Sequence, residues 1–400
     1  MPCSCRKHVN CITPPHLLKK LLESDNPDLR GTALNSLLTT AHLQGERSVR
    51  ALSAVAAAPD TGRRTIYDCR GAMTLPSAKL ARTEDGAPTS DNSVNAAFDG
   101  LGHTFRFFKE VFGRNSIDDR GMRLNGFVHY GSRYQNAFWD GQEMVFGDGD
   151  GVVFGDFTLS LDVIAHELAH GVTEYTAGFE YHKQSGALNE SVSDVFGSLV
   201  KQWTLGQSAG QADWLIGQEV FTPGIGADAL RSMKAPGTAY DSPTLGKDPQ
   251  PDHMDGYADL PDTRAGDWGG VHINSGIPNR AFYLAATAIG GFAWEAPGHI
   301  WYESLRASST TSQFQDFADT TYAKAGQLYG TKSGEQQAIL HAWREVGIRI
   351  SGAHASSMPR TRSGSVGEED GLAALRAQLE ALATQVNSLS REVVMLQEKH

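Results

Sequence analysis

The sequence has few cysteines, no apolar leader and no cluster of basic residues, and each absence narrows the range of functions. Only four cysteines occur among 400 residues, and they stand at positions 3, 5, 11 and 69. That distribution provides no disulfide framework for the body and favours a reducing compartment. The N-terminus also lacks the apolar core of a secretory signal. We therefore expect cytoplasmic synthesis, with release by a non-classical route left open.

Charge and hydropathy disfavour two classes of partner. The formal net charge is −11 and Lys and Arg are scattered, whereas binding to nucleic-acid phosphates depends on clustered cations. No apolar run approaches the length of about 18 residues that indicates a transmembrane helix. The composition, with 40% hydrophobic and 20% charged residues, is typical of a globular protein with two or three domains. We expect neither a nucleic-acid partner nor a membrane partner.

The sequence does contain a His-Glu-x-x-His pattern. His166 and His170 lie one helical turn apart on the same face, so both imidazoles can reach one ion. Glu190, in a second helical pattern, is the candidate third ligand of a tetrahedral Zn²⁺ whose fourth position stays open for water. Asp194 follows Glu190 by one turn and could orient a ligand imidazole through its free N–H. Glu167 is the candidate general base.

So short a pattern can arise by chance, and the alternative is a surface helix with two unpaired histidines. The residues around the pattern favour a buried helix, because they are Val163, Ile164, Ala165, Leu168 and Ala169. Two histidines and a glutamate buried without a partner would be costly to desolvate. A metal ion removes that cost, so we predict one catalytic Zn²⁺.

Together with other segments, these residues resemble the thermolysin-like neutral metallopeptidases over roughly residues 60–350. The matching segments, in family order, are 136–139, 144–151, the zinc helix, 189–190, 230–233 and 269–276. The resemblance implies an α+β fold of two lobes, with a β-rich N-terminal lobe, a central zinc helix and an α-helical C-terminal lobe. It also implies a zinc-dependent neutral metalloendopeptidase that cuts protein or peptide substrates on the amino side of apolar residues.

The N-terminal residues resemble the short propeptide of the protealysin-like branch of this family, through Pro14, Pro15, Leu17 and Leu18. We therefore expect a zymogen whose propeptide is removed by a cut within residues 48–62. A permanent helical cap is the alternative. Cys3, Cys5, His8 and Cys11 could bind metal, and a thiolate could block the zinc, although a reduced tail is the simpler interpretation.

Changes in composition divide the chain into five segments. They are a propeptide-like helical segment (1–58), a β-rich lobe with the zinc helix (59–200), an α-helical lobe (201–350), a flexible linker (351–370) and a coiled-coil helix (371–400). In the last segment, apolar residues alternate spacings of three and four over four heptads. We expect a homodimer or homotrimer through this helix, and a lone helix folded back on the body is the alternative.

The resemblance also implies roles for the remaining site residues. Glu167 takes a proton from the attacking water and then delivers it to the leaving amine. Tyr181 and His272 stabilise the tetrahedral oxyanion, and Asp267 orients and charges His272. Two other readings stay open, namely a scaffold with an inactive metallopeptidase body and a zinc hydrolase that acts on non-peptide amides.

Substrate binding is assigned by the same resemblance. Asn136 and Ala137 hold the substrate main chain, and Arg231 contacts the carbonyl after the scissile bond. The pocket for the side chain after that bond is formed by Phe154, Phe157, Val163, Leu230 and Arg231. Because Phe157 stands where better-known members have Leu, we expect medium aliphatic side chains to be preferred over Phe in this pocket.

Calcium binding is a point of departure from the family pattern. Thermolysin-type relatives bind two Ca²⁺ through five acidic side chains, whereas the matching positions here read Asp162, Lys201, Asp213, Leu215 and Gln218. Two acids remain and one position is cationic, although Ca²⁺ needs several oxygen ligands. We expect the double calcium site to be absent, and calcium binding elsewhere stays open.

Overall fold

The computed structural model describes residues 10–50 and 63–351, and side chains for residues 11–43 and 63–351. Predictions about residues 352–400, including the coiled coil, fall outside these ranges. Cys3, Cys5 and His8 also lie outside these ranges, as do residues 51–62, which form most of the segment where we expect the propeptide to be cut.

Ten short strands form three sheets within the described ranges. They are β1 (Asn10–Cys11), β2 (Arg64–Asp68), β3 (Lys79–Thr83), β4 (Leu124–Val128), β5 (Ala137–Trp139), β6 (Glu143–Phe146), β7 (Leu215–Ile216), β8 (Arg231–Ser232), β9 (Asp241–Ser242) and β10 (Gly246–Lys247). The largest sheet has the order β1-β5-β6-β4-β2-β3. β4 pairs in parallel with β2 and β6, and the other pairs are antiparallel.

Ten α-helices accompany the strands in the same ranges. They are α1 (Pro15–Leu21), α2 (Pro27–Arg50), α3 (Asn92–Phe112), α4 (Leu161–Glu174), α5 (Lys183–Leu205), α6 (Asp267–Asn274), α7 (Gly276–Ile289), α8 (Ala296–Ala307), α9 (Phe314–Tyr329) and α10 (Gly334–Glu345). All six strands of the large sheet come before α4 in the sequence, whereas six of the helices follow α4. The predicted α+β organisation is confirmed. None of the described helices is long and apolar enough to cross a membrane.

Helices α4 and α5 form the centre of the molecule. Every residue from 162 to 173 is buried in α4, and every residue from 185 to 202 is buried in α5. A helix buried on all sides belongs to the core rather than to the surface. The two helices approach closely at Gly197, where an added Cβ would lie 2.6 Å from the Asp162 carbonyl oxygen. This packing fixes the side chains that the two helices present to each other.

The N-terminal helices α1 and α2 pack against the rest of the molecule. The apolar stripe of α1 is buried, with Leu17 and Leu21 at 0% exposure. At the ends of the contact, Lys19 Nζ donates to the Ala265 carbonyl over 2.6 Å, and Arg264 Nη2 donates to the Leu37 carbonyl over 2.9 Å. The preceding strand β1 pairs with β5. The segment therefore pairs with the strand that contains Ala137, one of the two residues that the resemblance assigns to the substrate main chain.

Candidate active site

The predicted metal ligands come together between α4 and α5. His166 Nε2 lies 3.0 Å from His170 Nε2. Glu190 Oε2 lies 3.6 Å from His166 Nε2, and Glu190 Oε1 lies 3.4 Å from His170 Nε2. All three side chains are buried, with at most 1% exposure. Within the described ranges, these three residues form the group able to hold a metal ion.

Hydrogen bonds orient both imidazoles. His166 Nδ1 lies 2.8 Å from Asp194 Oδ1, and His170 Nδ1 donates to Asn189 Oδ1 over 2.7 Å. Because Nδ1 faces an acceptor in each ring, the proton is on Nδ1 and the lone pair on Nε2. Burial lowers the pKa of His166 to about 4 and that of His170 to about 3, so both rings are neutral at pH 7.

The arrangement fits zinc. Two Nε2 lone pairs face one another with no proton between them, and the buried Oε2 of Glu190 has no hydrogen-bond partner among the residues that the structure describes. Three converging acceptors call for a cation. A tetrahedral Zn²⁺ with bonds of about 2.05 Å separates its ligand atoms by about 3.3 Å. The observed separations of 3.0, 3.4 and 3.6 Å bracket that value.

Glu167 is buried beside this group and is bound to strand β5. Its Oε2 accepts the Trp139 N–H over 3.1 Å. Burial raises the pKa of Glu167, and the negative charge of Glu190 raises it further. A carboxylate with a raised pKa is a better proton acceptor, which suits a general base.

A second group of polar side chains faces the metal ligands from α6. His272 Nδ1 donates to Asp267 Oδ1 over 2.6 Å, and the His272 backbone N–H donates to Asp267 Oδ2 over 2.9 Å. Burial opposes protonation, but Asp267 and Glu190 outweigh it and raise the pKa of His272 to about 9. The Tyr181 hydroxyl donates to Glu190 and lies 3.3 Å from His272 Nε2. Tyr181 and a cationic His272 therefore present donors on one side of the site.

A left-handed turn positions this histidine. Asp267, Trp268, Gly269 and Gly270 have φ values of 56°, 52°, 86° and 77°. A non-glycine residue in this region costs about 1–2 kcal/mol. Gly269 also needs to be small, because an added Cβ would lie 2.7 Å from Lys183 Cγ. The sequence motif around His272 gives no indication of this inverted backbone before it.

Asp194 connects the metal site to the predicted substrate-binding arginine. Arg231 Nε and Nη2 both donate to the Asp194 carboxylate over 2.8 Å, and Asn279 Nδ2 donates to Asp194 Oδ2 over 2.8 Å. Burial alone would raise the pKa of Asp194, but Arg231 and His166 outweigh it and hold the pKa well below its usual range. The predicted pocket residues are also buried, and the rings of two of them stack at 5.8 Å (Phe154 and Phe157).

Residues 11–13 lie across His272, Arg231 and Asn136 and bind all three. These individual contacts could not be predicted from the sequence. The Cys11 carbonyl accepts from His272 Nε2 over 3.0 Å, and the Ile12 carbonyl accepts from Arg231 Nη1 over 3.2 Å. The Thr13 N–H donates to the Oδ1 atom of Asn136 over 2.9 Å. The side chain of Cys11 packs in an apolar cluster with Phe138 and Cys69. The backbone of Cys11, rather than its thiol as the sequence analysis considered, makes the contact with the catalytic groups.

Comparisons with known families agree with this geometry. A family described as the catalytic domain of thermolysin metallopeptidase matches residues 51–174, and one described as the α-helical domain of the same peptidase matches residues 177–348. The chain belongs to the thermolysin metallopeptidase family. Like other thermolysin-type peptidases, it is a zinc metallopeptidase, and both the predicted fold and the predicted enzyme class are confirmed.

Two relatives and one solved structure illustrate the similarity within the thermolysin family. The chain is 46% identical over 341 residues to the extracellular metalloprotease of Pectobacterium carotovorum subsp. carotovorum, which covers 85% of this chain and 96% of the relative. It is 40% identical over 358 residues to the extracellular minor metalloprotease of Serratia marcescens, covering 84% and 95%. The precursor of protealysin, a metalloproteinase from Serratia proteamaculans, superposes with a TM-score of 0.75 at 48% identity, covering 85% of this chain and 99% of that one.

These relatives overturn the expected location. Both are named as extracellular proteins, so the expectation that this thermolysin-family enzyme resides in the cytoplasm is wrong. The expectation rested on scarce cysteines and on the lack of an apolar N-terminal stretch. Scarce cysteines do not exclude an extracellular location, because a core of this size is stable without cross-links.

Proposed function

We propose that the chain is a secreted zinc metalloendopeptidase made as a zymogen, in which residues 10–50 occupy the substrate cleft. The observation that carries this proposal is the contact of residues 11–13 with His272, Arg231 and Asn136, because the same donors and acceptors would hold a substrate main chain. A segment that satisfies them excludes substrate. The resemblance to a protealysin precursor supports the same interpretation.

The residues of the chain divide the catalytic work. A zinc ion bound by His166, His170 and Glu190 supplies a Lewis acid and lowers the pKa of a water molecule. Glu167 accepts the proton of that water and donates it to the leaving nitrogen. Its raised pKa makes the second transfer favourable, because the protonated carboxyl is populated closer to neutrality.

Charge that develops on the attacked carbonyl oxygen is met by His272 and Tyr181. His272 already donates from Nε2 to a carbonyl oxygen at 3.0 Å, and Asp267 keeps it cationic. Preorganised donors of this kind contribute about 10²–10³ in rate. Arg231 holds the next carbonyl and is itself fixed by Asp194. These assignments make a peptide, rather than a small amide, the fitting substrate.

The pocket predicts a preference for medium aliphatic side chains after the scissile bond. Phe154 and Phe157 stack side by side and are fully buried, so their rings narrow the space. Peptides that differ only at this position test the preference, with Leu or Ile expected to exceed Phe in kcat/KM. In the Phe157→Leu variant, the ratio of kcat/KM for the peptide with Phe to kcat/KM for the peptide with Leu should rise about tenfold. Equal ratios in the two proteins would refute this account of the pocket.

Activity of full-length and trimmed protein tests the whole proposal. Protein trimmed to begin near residue 60 and loaded with zinc should cleave a fluorogenic peptide, while untrimmed Glu167→Gln protein should stay silent and intact. A trimmed protein that binds zinc but cleaves no peptide would favour the scaffold interpretation. The matched control is trimmed Glu110→Gln, because Glu110 is an exposed residue of α3.

We further propose that zinc is the catalytic metal and that Lys201 stands in for calcium. Lys201 Nζ lies 3.0 Å from Asp213 Oδ2, 3.3 Å from Asp162 Oδ2 and 3.8 Å from Glu219 Oε1. Burial would lower the pKa of Lys201, but the three carboxylates outweigh it and raise the pKa. An ammonium among these oxygens leaves no room for a dication. Calcium should therefore leave the melting temperature unchanged.

Self-association is a separate proposal that rests on the heptad pattern of residues 371–400, which lie outside the described ranges. We propose a dimer or a trimer. Light scattering of Glu167→Gln protein should give a mass two or three times that of the same protein ended at residue 351. If each sample has the mass of a single chain, the proposal is refuted.

A further inference from the structure

The N-terminal segment crosses the cleft in the direction of a substrate. β1 runs antiparallel to β5, and the Ile12 N–H donates to the Ala137 carbonyl over 3.2 Å. The Thr13 N–H continues the pattern through the side-chain oxygen of Asn136. An extended peptide that adds to a sheet edge makes main-chain bonds of this kind. The orientation of the segment is thus suited to cleavage as well as to blocking.

Two successive carbonyls fix the register. The Cys11 carbonyl lies at His272, the donor assigned to the carbonyl under attack, and the Ile12 carbonyl lies at Arg231, the donor assigned to the carbonyl that follows. These contacts measure 3.0 and 3.2 Å. A shift by one residue would turn each carbonyl to the opposite side of the strand. The bond placed at the reacting position is Cys11–Ile12.

The nitrogen and side chain of Ile12 complete the match. The Ile12 N–H donates to the Ala137 carbonyl over 3.2 Å, and Glu167, the group that would return a proton to the leaving nitrogen, accepts from Trp139 N–H of the same strand β5 over 3.1 Å. The Ile12 side chain is aliphatic and 0% exposed. That is the class of side chain expected after the scissile bond. A cavity of about 400 Å³ borders Cys11, Tyr181 and His272.

We propose that Cys11–Ile12 is the first peptide bond that this enzyme hydrolyses, within its own chain and before the propeptide is removed. The inference rests on the proposed function. One water molecule adds across the bond. The Cys11–Ile12 C–N bond breaks, the Cys11 carbonyl carbon gains the hydroxyl of the water, and the Ile12 nitrogen gains its other proton. The resulting carboxylic acid then loses its proton to the amine, which leaves a carboxylate at Cys11 and an ammonium at Ile12. Water is the sole co-reactant.

The cut does not release the segment at once. Residues after Ile12 stay anchored because α1 is buried against the body and Lys19 and Arg264 bridge the two parts. Further contacts hold α2, since Ser36 Oγ accepts the Gln135 N–H over 3.1 Å. The nicked form keeps the propeptide but loses the strand β1 pairing. We infer that the nick loosens the segment and prepares the later cut within residues 48–62.

The test follows the full chain after zinc is added to metal-free protein. Intact mass should first show loss of residues 1–11, and N-terminal sequencing should read Ile-Thr-Pro-Pro. The rate should be independent of protein concentration, because the reaction is intramolecular. Glu167→Gln should stay intact. Ile12→Leu should be cut at the same bond, whereas Ile12→Asp should be cut there about 100-fold more slowly, because a carboxylate does not fit an apolar pocket.

A measurement without metal separates register from chemistry. In metal-free wild type, the amides of residues 12 and 13 should exchange hydrogen at least about tenfold more slowly than in metal-free Ile12→Asp. Lack of protection there, or a first cut elsewhere while Cys11–Ile12 stays whole, would overturn the inference. A failure of the proposed function gives a different result, because in that case the trimmed protein does not cleave the fluorogenic peptide.

Discussion

Replacing Lys201 should destabilise the enzyme more than any exposed lysine does. Lys201 in α5 bridges to Asp162 in the first turn of the zinc helix and to Asp213 and Glu219 beyond it. The Asp162 side chain is 0% exposed, so it depends on this ammonium for compensation. In Lys201→Met, a carboxylate would remain buried without a cation next to the helix that presents the metal ligands.

The distances set the magnitude. At an effective dielectric constant of about 20, unit charges about 3 Å apart attract by roughly 5 kcal/mol before desolvation is subtracted. Removing one partner of a buried pair costs about 3–5 kcal/mol. Because unfolding entropy is about 2.1 cal/mol/K per residue, a loss of about 4 kcal/mol lowers the melting temperature of a body of this size by roughly 6 °C. The raised pKa of Lys201 keeps the ammonium charged throughout the neutral range, so the loss should not vary between pH 6 and 8.

Thermal unfolding in the Glu167→Gln background, with and without calcium, measures this effect. Lys109→Met is the matched control, because Lys109 is exposed at the end of α3. Lys201→Asp should melt below Lys201→Met without calcium and recover several degrees in millimolar calcium, since it restores an oxygen ligand. If Lys201→Met melts within 1 °C of its parent, or if calcium stabilises the parent as much as Lys201→Asp, the reasoning about this cluster is wrong.

Three further predictions concern the site and its cover. Asp194→Asn should weaken zinc binding 10–100-fold by chelator competition and lower stability by about 3–5 kcal/mol, because Arg231 loses its buried partner; unchanged zinc affinity would contradict the orienting role. Asp267→Asn should lower kcat of the trimmed enzyme about 10–100-fold with zinc content unchanged, since His272 loses the carboxylate that charges it; an unchanged kcat would remove that role. Burial lowers the pKa of His16 in α1 to about 4, so the packing of α1 on the body should be most stable above pH 6.5 and weaken as the pH falls towards 4. Hydrogen exchange of the α1 amides, corrected for intrinsic rates, measures this change. The His16→Gln variant should lack the pH dependence.

Local patterns in the sequence were sufficient to predict most helices and the metal site. The apolar spacing from Phe314 to Tyr329 is typical of a helix and coincides with the observed bounds of α9, and the pattern from Ser93 to Phe112 coincides with α3 to within one residue. His166 and His170 could be paired because a helical turn alone brings them together. The positions of these elements follow from interactions within a few residues of one another, which a sequence displays directly.

Other features depend on contacts between distant residues. The pairing of Asn10 with Trp139 joins strands far apart in sequence, and a strand of two residues carries no pattern of its own. Gly269 and Gly270 indicated a turn, but the positive φ of Trp268 before them is imposed by the surrounding packing. Lys201 could be read as a lost calcium ligand, whereas its three ion pairs became visible only in the structure.

The central claim is that a complete zinc peptidase is held silent by its own N-terminal segment. The most direct measurement is hydrolysis of a fluorogenic peptide by zinc-loaded Ile12→Asp and wild-type protein, each recorded from the moment of mixing, before any chain has lost mass. The account predicts immediate activity in Ile12→Asp, because the charged side chain no longer occupies the pocket, and a lag in wild type. Equal lags in the two proteins, ending only when the segment up to about residue 60 is gone, would contradict it.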